Sequence, residues 1–213
     1  MIEVNKITPT IGAEIKGINF SKPIDKKFLD QIYEMLIENL VIFFINTNIL
    51  PKAYLDFAKN FGELDEPHPV YPNVEGYSRI IKLENDEFSP PDTDAWHTDL
   101  TFKKEQPFAS VLVARSVPKI GGDTLWSSCY AAYERLSNGM KDDFEKIKCI
   151  HDMGDFRNTF SHPKNGMSAV DRLNEGMANF GQNIRSLVES ILLVGKNILI
   201  LMKHLFLILL EKL

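Results

Sequence analysis

The chain has 213 residues, 44% of them hydrophobic, and a formal net charge of −5. That is enough apolar side chain for one domain with a core, and with no basic stripe in view nucleic acid is not an expected partner. The two cysteines, Cys129 and Cys149, lack metal-knuckle spacing, and Met1–Thr10 has no apolar signal core, so a reduced, cytoplasmic setting is expected.

In chain order, "TIGAEIKGINF" alternates in part between glycines and reads as short strands. "IDKKFLDQIYEMLIENL" places Phe28, Leu29, Ile32, Met35, Leu36 and Leu40 on one helical face, with Asp25 as the N-cap. "VIFFIN" is a buried strand. "LPKAYLDFAKNFG" is a second helix, opened by Pro51 and closed by Gly62. From there the chain turns polar and turn-rich in "ELDEPHPVYPNVEG". "SRIIKL" and "FASVLVAR" read as strands, and "IGGDTLWSS" as a turn entering another strand. "YAAYERLS" and "MKDDFEKIK" read as short helices. The order predicts an α+β fold with a β-rich core and long polar loops, and the loops hold most of the His, Asp, Trp and Tyr.

One loop stands out. In "DTDAWHTDLTF", His97 and Asp99 are two residues apart. In extended backbone such residues point the same way, so an imidazole and a carboxylate can take adjacent positions on one metal ion. The same two-residue pattern also suits a solvated turn.

The neighbouring motifs favour the metal. "FGEL" at 61–64, "HPVYP" at 68–72, "WHTDLTF" at 96–102 and "GGDTLW" at 121–126 occur in this order. Together they resemble the taurine dioxygenase family of Fe(II)- and 2-oxoglutarate-dependent dioxygenases, over about Val4 to Phe160. The resemblance implies a double-stranded β-helix (jelly-roll) core with flanking helices. It implies His97 and Asp99 as the first two iron ligands and Thr124 as a contact to the 2-oxoglutarate carboxylate. His68, Tyr71, Thr93 and Phe160 would line the substrate site, the first two against an anionic head group. The implied chemistry is hydroxylation of a small anionic organic substrate by dioxygen, coupled to decarboxylation of 2-oxoglutarate to succinate. Sulfite leaves where the hydroxylated carbon bears a sulfonate. Trp96 and Trp126 read as packing residues.

Two departures from the family pattern matter. Members that act on taurine carry Asn where this chain has Thr93 and Ala95, so a related sulfonate, sulfate ester or carboxylate is as good an expectation as taurine. The family's third ligand, a histidine, and an arginine for the distal carboxylate of 2-oxoglutarate have no counterpart here: His151, His162 and His204 do not sit in that context. The chain therefore reads as truncated or frameshifted and inactive by itself, with the C-terminal strands missing. The competing reading is a non-catalytic remnant or interaction module; a homo-oligomeric parent stays open.

Residues 1–180 are read as the N-terminal part of one dioxygenase domain and 181–213 as an anomalous tail. From Ile191 to Leu210, 15 of 20 residues are aliphatic, Met or Phe, without heptad, alternation or cap. Lys196, Asn197, Lys203 and His204 interrupt the run, which makes a membrane span a poor fit. The tail is expected to expose an apolar patch. Read one frame over with permitted codons, 188–192 can encode Arg-Ile-His-Pro and 201–205 Asn-Glu-Ala-Phe. The family carries these two strings at the same separation. A frameshift between Phe160 and Val188 is the expectation.

Overall fold

The computed structural model describes residues 2–20, 22–67, 71–86, 96–152, 181–191, 196–199 and 205–210; from residue 190 onward it describes the backbone only. They divide into two compact units.

The first unit comprises residues 1–90, 108–128 and 204–213. Its five-stranded sheet has the order β1 (Glu3–Lys6), β2 (Ala13–Lys16), β3 (Val41–Phe44), β11 (Leu205–Leu210), β6 (Ala109–Ala114). β1 and β2 are antiparallel; β2–β3, β3–β11 and β11–β6 are parallel. Helix α1 (Lys26–Asn39) starts where the sequence predicts: the Asp25 carboxylate accepts from the Phe28 N–H at 2.8 Å, satisfying one of the helix's free donors. Its apolar stripe buries Ile32 and Leu36 completely. They join Ile15, Ile42, Phe44, Ile49 and Phe57 in one core. Helix α2 (Pro51–Ala58) has Pro51 at its first turn, where the missing N–H has no consequence. Its Tyr54 hydroxyl donates to the Val111 carbonyl on β6, and burial pushes that phenol up to about 12. A short ribbon, β4 (Asn73–Val74) with β5 (Tyr77–Ile81), belongs to the same unit.

The second unit comprises residues 91–107 and 129–203. It holds α3 (Cys129–Glu134), α4 (Asn138–Phe144) and two antiparallel ribbons, β7 (Lys148–His151) with β8 (Asn183–Ser186) and β9 (Val188–Ile191) with β10 (Lys196–Leu199). Ser137 caps α4 through the Met140 N–H.

Two expectations fail. No strand follows the Gly121–Gly122 turn. Both glycines have positive φ, and Leu125 and Thr124 are exposed. Trp126 packs edge-on against Phe43 instead. The tail does not hang free either: Leu205–Leu210 forms β11, paired from Phe206↔Val41 to Leu209↔Phe44 on one side and from Leu205↔Ala109 to Leu210↔Ala114 on the other. β3 and β6 each offer a row of main-chain donors and acceptors. An extended apolar segment satisfies both rows whatever its side-chain pattern. Among the described residues no helix is long and apolar enough to cross a membrane.

Candidate metal centre

His97 and Asp99 lie on a short segment of the second unit that runs into the turn at Asp99–Lys104. The structure brings them together: His97 Nε2 is 3.1 Å from Asp99 Oδ1, with the two side chains 55% and 39% exposed. An imidazole nitrogen and a carboxylate oxygen this close, and open to solvent, form two neighbouring donors of the kind a divalent cation takes. Trp96, beside them, is exposed rather than packed, which corrects the expectation for it.

The turn after the pair is held by its main-chain carbonyls. Arg185 Nε donates to Thr101 O at 2.9 Å, and its Nη2 donates to Lys103 O and to Lys104 O at 3.1 Å. Asn183 Nδ2 reaches Lys103 O at 3.3 Å, and Gln106 Nε2 reaches Asp99 O at 3.5 Å. The Arg185 side chain is 10% exposed and pairs with Glu189 at 3.5 Å. Sequence reasoning missed these supports, since a carbonyl acceptor leaves no trace in residue type.

His151 sits opposite Asn183, and Cys149 opposite Arg185, across the β7–β8 ribbon. Directly opposed residues share a face, so His151 lies on the face that meets the turn. Ile150 and Ile184 on the other face are exposed. Burial, reinforced by the Arg185 charge, lowers the His151 pKa from its ordinary value, and its Nε2 is buried without a hydrogen-bond partner. Even so, among the described residues no third His, Cys, Asp or Glu joins His97 and Asp99 as a metal-holding group. Among the described residues the candidate metal group is therefore this pair, without a third protein donor.

Thr124 is exposed on the loop after the Gly121–Gly122 turn of the first unit. Tyr71 is half-buried in that unit, just before β4. His68, Thr93 and Phe160 lie outside the described residues, as do His162 and His204. Cys129 is buried and its thiol is pushed up to about 11, a packing residue rather than a nucleophile.

Residues 3–183 match the model of the family described as "Taurine catabolism dioxygenase TauD, TfdA family". The chain belongs to that family. Among curated TauD/TfdA relatives, an alpha-ketoglutarate-dependent sulfate ester dioxygenase of Pseudomonas putida is 32% identical over 151 residues, 70% of this chain and 49% of that one. An alkylsulfatase of Acinetobacter baylyi is 33% identical over 151 residues, 70% of this chain and 47% of that one. The chain thus spans about half the length of the curated relatives it matches. The crystal structure of a taurine dioxygenase from Burkholderia xenovorans superposes with a TM-score of 0.68 at 23% identity, covering 93% of this chain and 62% of that one. The fold is that of the TauD-like dioxygenases, α+β with a jelly-roll core.

Proposed function

We propose that the family region of this chain is the iron-binding part of an Fe(II)- and 2-oxoglutarate-dependent dioxygenase acting on a small organic sulfate ester or sulfonate. The observation that carries it is the His97–Asp99 pair, two metal-type donors 3.1 Å apart within the region that matches the family. His97 and Asp99 would hold iron, and Thr124 would donate its hydroxyl to the 2-oxoglutarate carboxylate. Iron, with 2-oxoglutarate and dioxygen, supplies the oxidant that places a hydroxyl on the substrate carbon while 2-oxoglutarate becomes succinate and carbon dioxide. His68, Tyr71 and Thr93 would hold the anionic head group through donor hydrogen atoms, and Phe160 would wall the alkyl part. Hydroxylation of the carbon bearing the ester oxygen releases an aldehyde and sulfate; of the carbon bearing a sulfonate, an aldehyde and sulfite. The names of the two relatives described above support a sulfate ester, and Thr93 in place of an amide favours a substrate other than taurine.

A second reading, a non-catalytic remnant, would apply to the 213-residue chain if no third donor joins His97 and Asp99; among the described residues none does. We propose that residues beyond about 183 are read out of frame, since the family match ends at 183, inside the window that the codon reading indicates. The test compares this chain with one whose frame is shifted after residue 183. Both are given Fe(II), 2-oxoglutarate and a panel of alkyl sulfates, alkyl sulfonates and taurine, with succinate, sulfate and sulfite measured. The frame-shifted chain should release sulfate or sulfite in step with succinate, and this chain neither. No turnover by either chain with any of the panel would refute the substrate class.

A further inference from the structure

Arg79 is the middle residue of β5 (Tyr77–Ile81), and its guanidinium reaches back to the segment before "HPVYP". Nη1 donates to two successive carbonyls, Leu64 O at 2.9 Å and Asp65 O at 2.7 Å, and Nη2 donates to Glu66 Oε1 at 3.0 Å. At the other end of the same segment the Lys82 N–H donates to Pro72 O at 2.8 Å, and β4 pairs with β5 from there. β5 and the residue after it therefore bond to Leu64–Glu66 on one side of Tyr71 and to Pro72 on the other. The run Glu63-Leu64-Asp65-Glu66 carries three carboxylates close in sequence to Tyr71. A guanidinium bound to that run offsets part of their field within a Debye length of about 8 Å. A lysine could not reproduce the arrangement, because a single ammonium lacks the planar, multi-dentate fork that spans two carbonyls and a carboxylate.

We propose that Arg79 is a positioning residue for the head-group loop: it fixes the approach to Tyr71 and shields that approach from the Glu63–Glu66 acids, so that an anionic substrate can enter. The inference rests on the substrate reading above. Its test therefore has one arm that is independent of substrate and one that is not. In the first, the full chain and Arg79→Ala, Arg79→Lys and Arg79→Gln are digested with a glutamate-specific protease under native conditions. Cleavage after Glu63 and Glu66 should speed up about tenfold in Arg79→Ala, as expected for losing bonds worth that factor in local opening, and less in Arg79→Lys. Cleavage elsewhere should not change. In the second arm, binding of sodium hexyl sulfate is measured against hexanol. Arg79→Ala and Arg79→Gln should weaken the sulfate and leave hexanol unmoved. Unchanged cleavage after Glu63 and Glu66 in Arg79→Ala overturns the positioning role. Hexyl sulfate bound equally by wild type, Arg79→Ala and Arg79→Gln overturns the electrostatic role. Faster cleavage in a chain whose wild type ignores hexyl sulfate supports the positioning role and refutes the substrate reading. If Arg79→Ala does not fold, Glu66→Gln, which removes one bonded carboxylate and keeps the arginine, should still raise cleavage after Glu63.

Discussion

His97 Nε2 and Asp99 Oδ1 stand 3.1 Å apart on a solvent-open segment, while the carbonyls just downstream are capped by Arg185, whose side chain is 10% exposed. The pair is thus presented by a turn that is itself held. Mn(II), which does not oxidise in air as Fe(II) does, is the probe for it. With two protein donors among the described residues, binding should be weak, and both His97→Ala and Asp99→Ala should remove it. Electron paramagnetic resonance of free Mn(II) at increasing protein concentration measures this. Wild-type affinity in either variant would place the metal elsewhere.

His151 makes stability depend on pH. Burial first, and the Arg185 charge second, lower its folded-state pKa below the ordinary 6.5, against weaker opposing pulls from Glu189 and Asp152. The unfolded chain then binds the proton more readily than the folded chain. The contribution is fully present above about 6.5 and is lost as pH falls through the lowered folded value. The thermal midpoint should fall on moving from about pH 7.5 to about pH 5.5, and His151→Gln should flatten that fall. Parallel curves for wild type and His151→Gln would mean that other groups set the dependence.

Much of the first unit was legible because its signals are local. Asp25 and the spacing of Ile32 and Leu36 specify α1, and Val41–Phe44 is apolar enough to be a buried strand in any reading. That His97 and Asp99 stand close was legible because two-residue spacing carries geometry directly, whereas a metal role for them came from the neighbouring motifs and stays a proposal. β11 was not, because nothing in its residue pattern names β3 and β6 as partners; only the two open sheet edges do. The Arg185 and Asn183 supports were invisible for a related reason: their acceptors are carbonyls of Thr101, Lys103 and Lys104, which any residue type would present equally. The strand expected after Gly122 failed because an apolar pair, Leu125 and Trp126, implies a strand only if an edge is there to receive it.

β11 should be needed by this chain even though its sequence is uninformative. Removing 205–213 leaves the facing edges of β3 and β6 without partners, an aggregation hazard. Leu207→Pro is the more discriminating variant, because it keeps length and composition and deletes one N–H from the strand. Both should abolish a cooperative thermal transition and drive the chain into the pellet. A soluble, cooperatively melting Leu207→Pro protein would show that the ladder contributes little.

That dependence does not make the tail a selected sequence, and the difference can be measured in the source cells. The family match stops at 183, and the apolar run after it fills its slot through backbone pairing. If the frame proposal holds, the native protein carries other residues from about that point. Cleavage after Arg185 and Lys196 would give the peptide Ser186–Lys196 from this chain. Mass spectrometry of the native protein should not find it. It should instead find a peptide that begins Ile-His-Pro, released by cleavage at the arginine of Arg-Ile-His-Pro, and sequence covering Asn-Glu-Ala-Phe nine residues beyond that proline, from the alternative reading of 188–192 and 201–205. Those strings would bring a histidine and the surroundings of the family's third ligand into the same chain as His97 and Asp99. Detection of Ser186–Lys196 in the native protein would end the frame proposal.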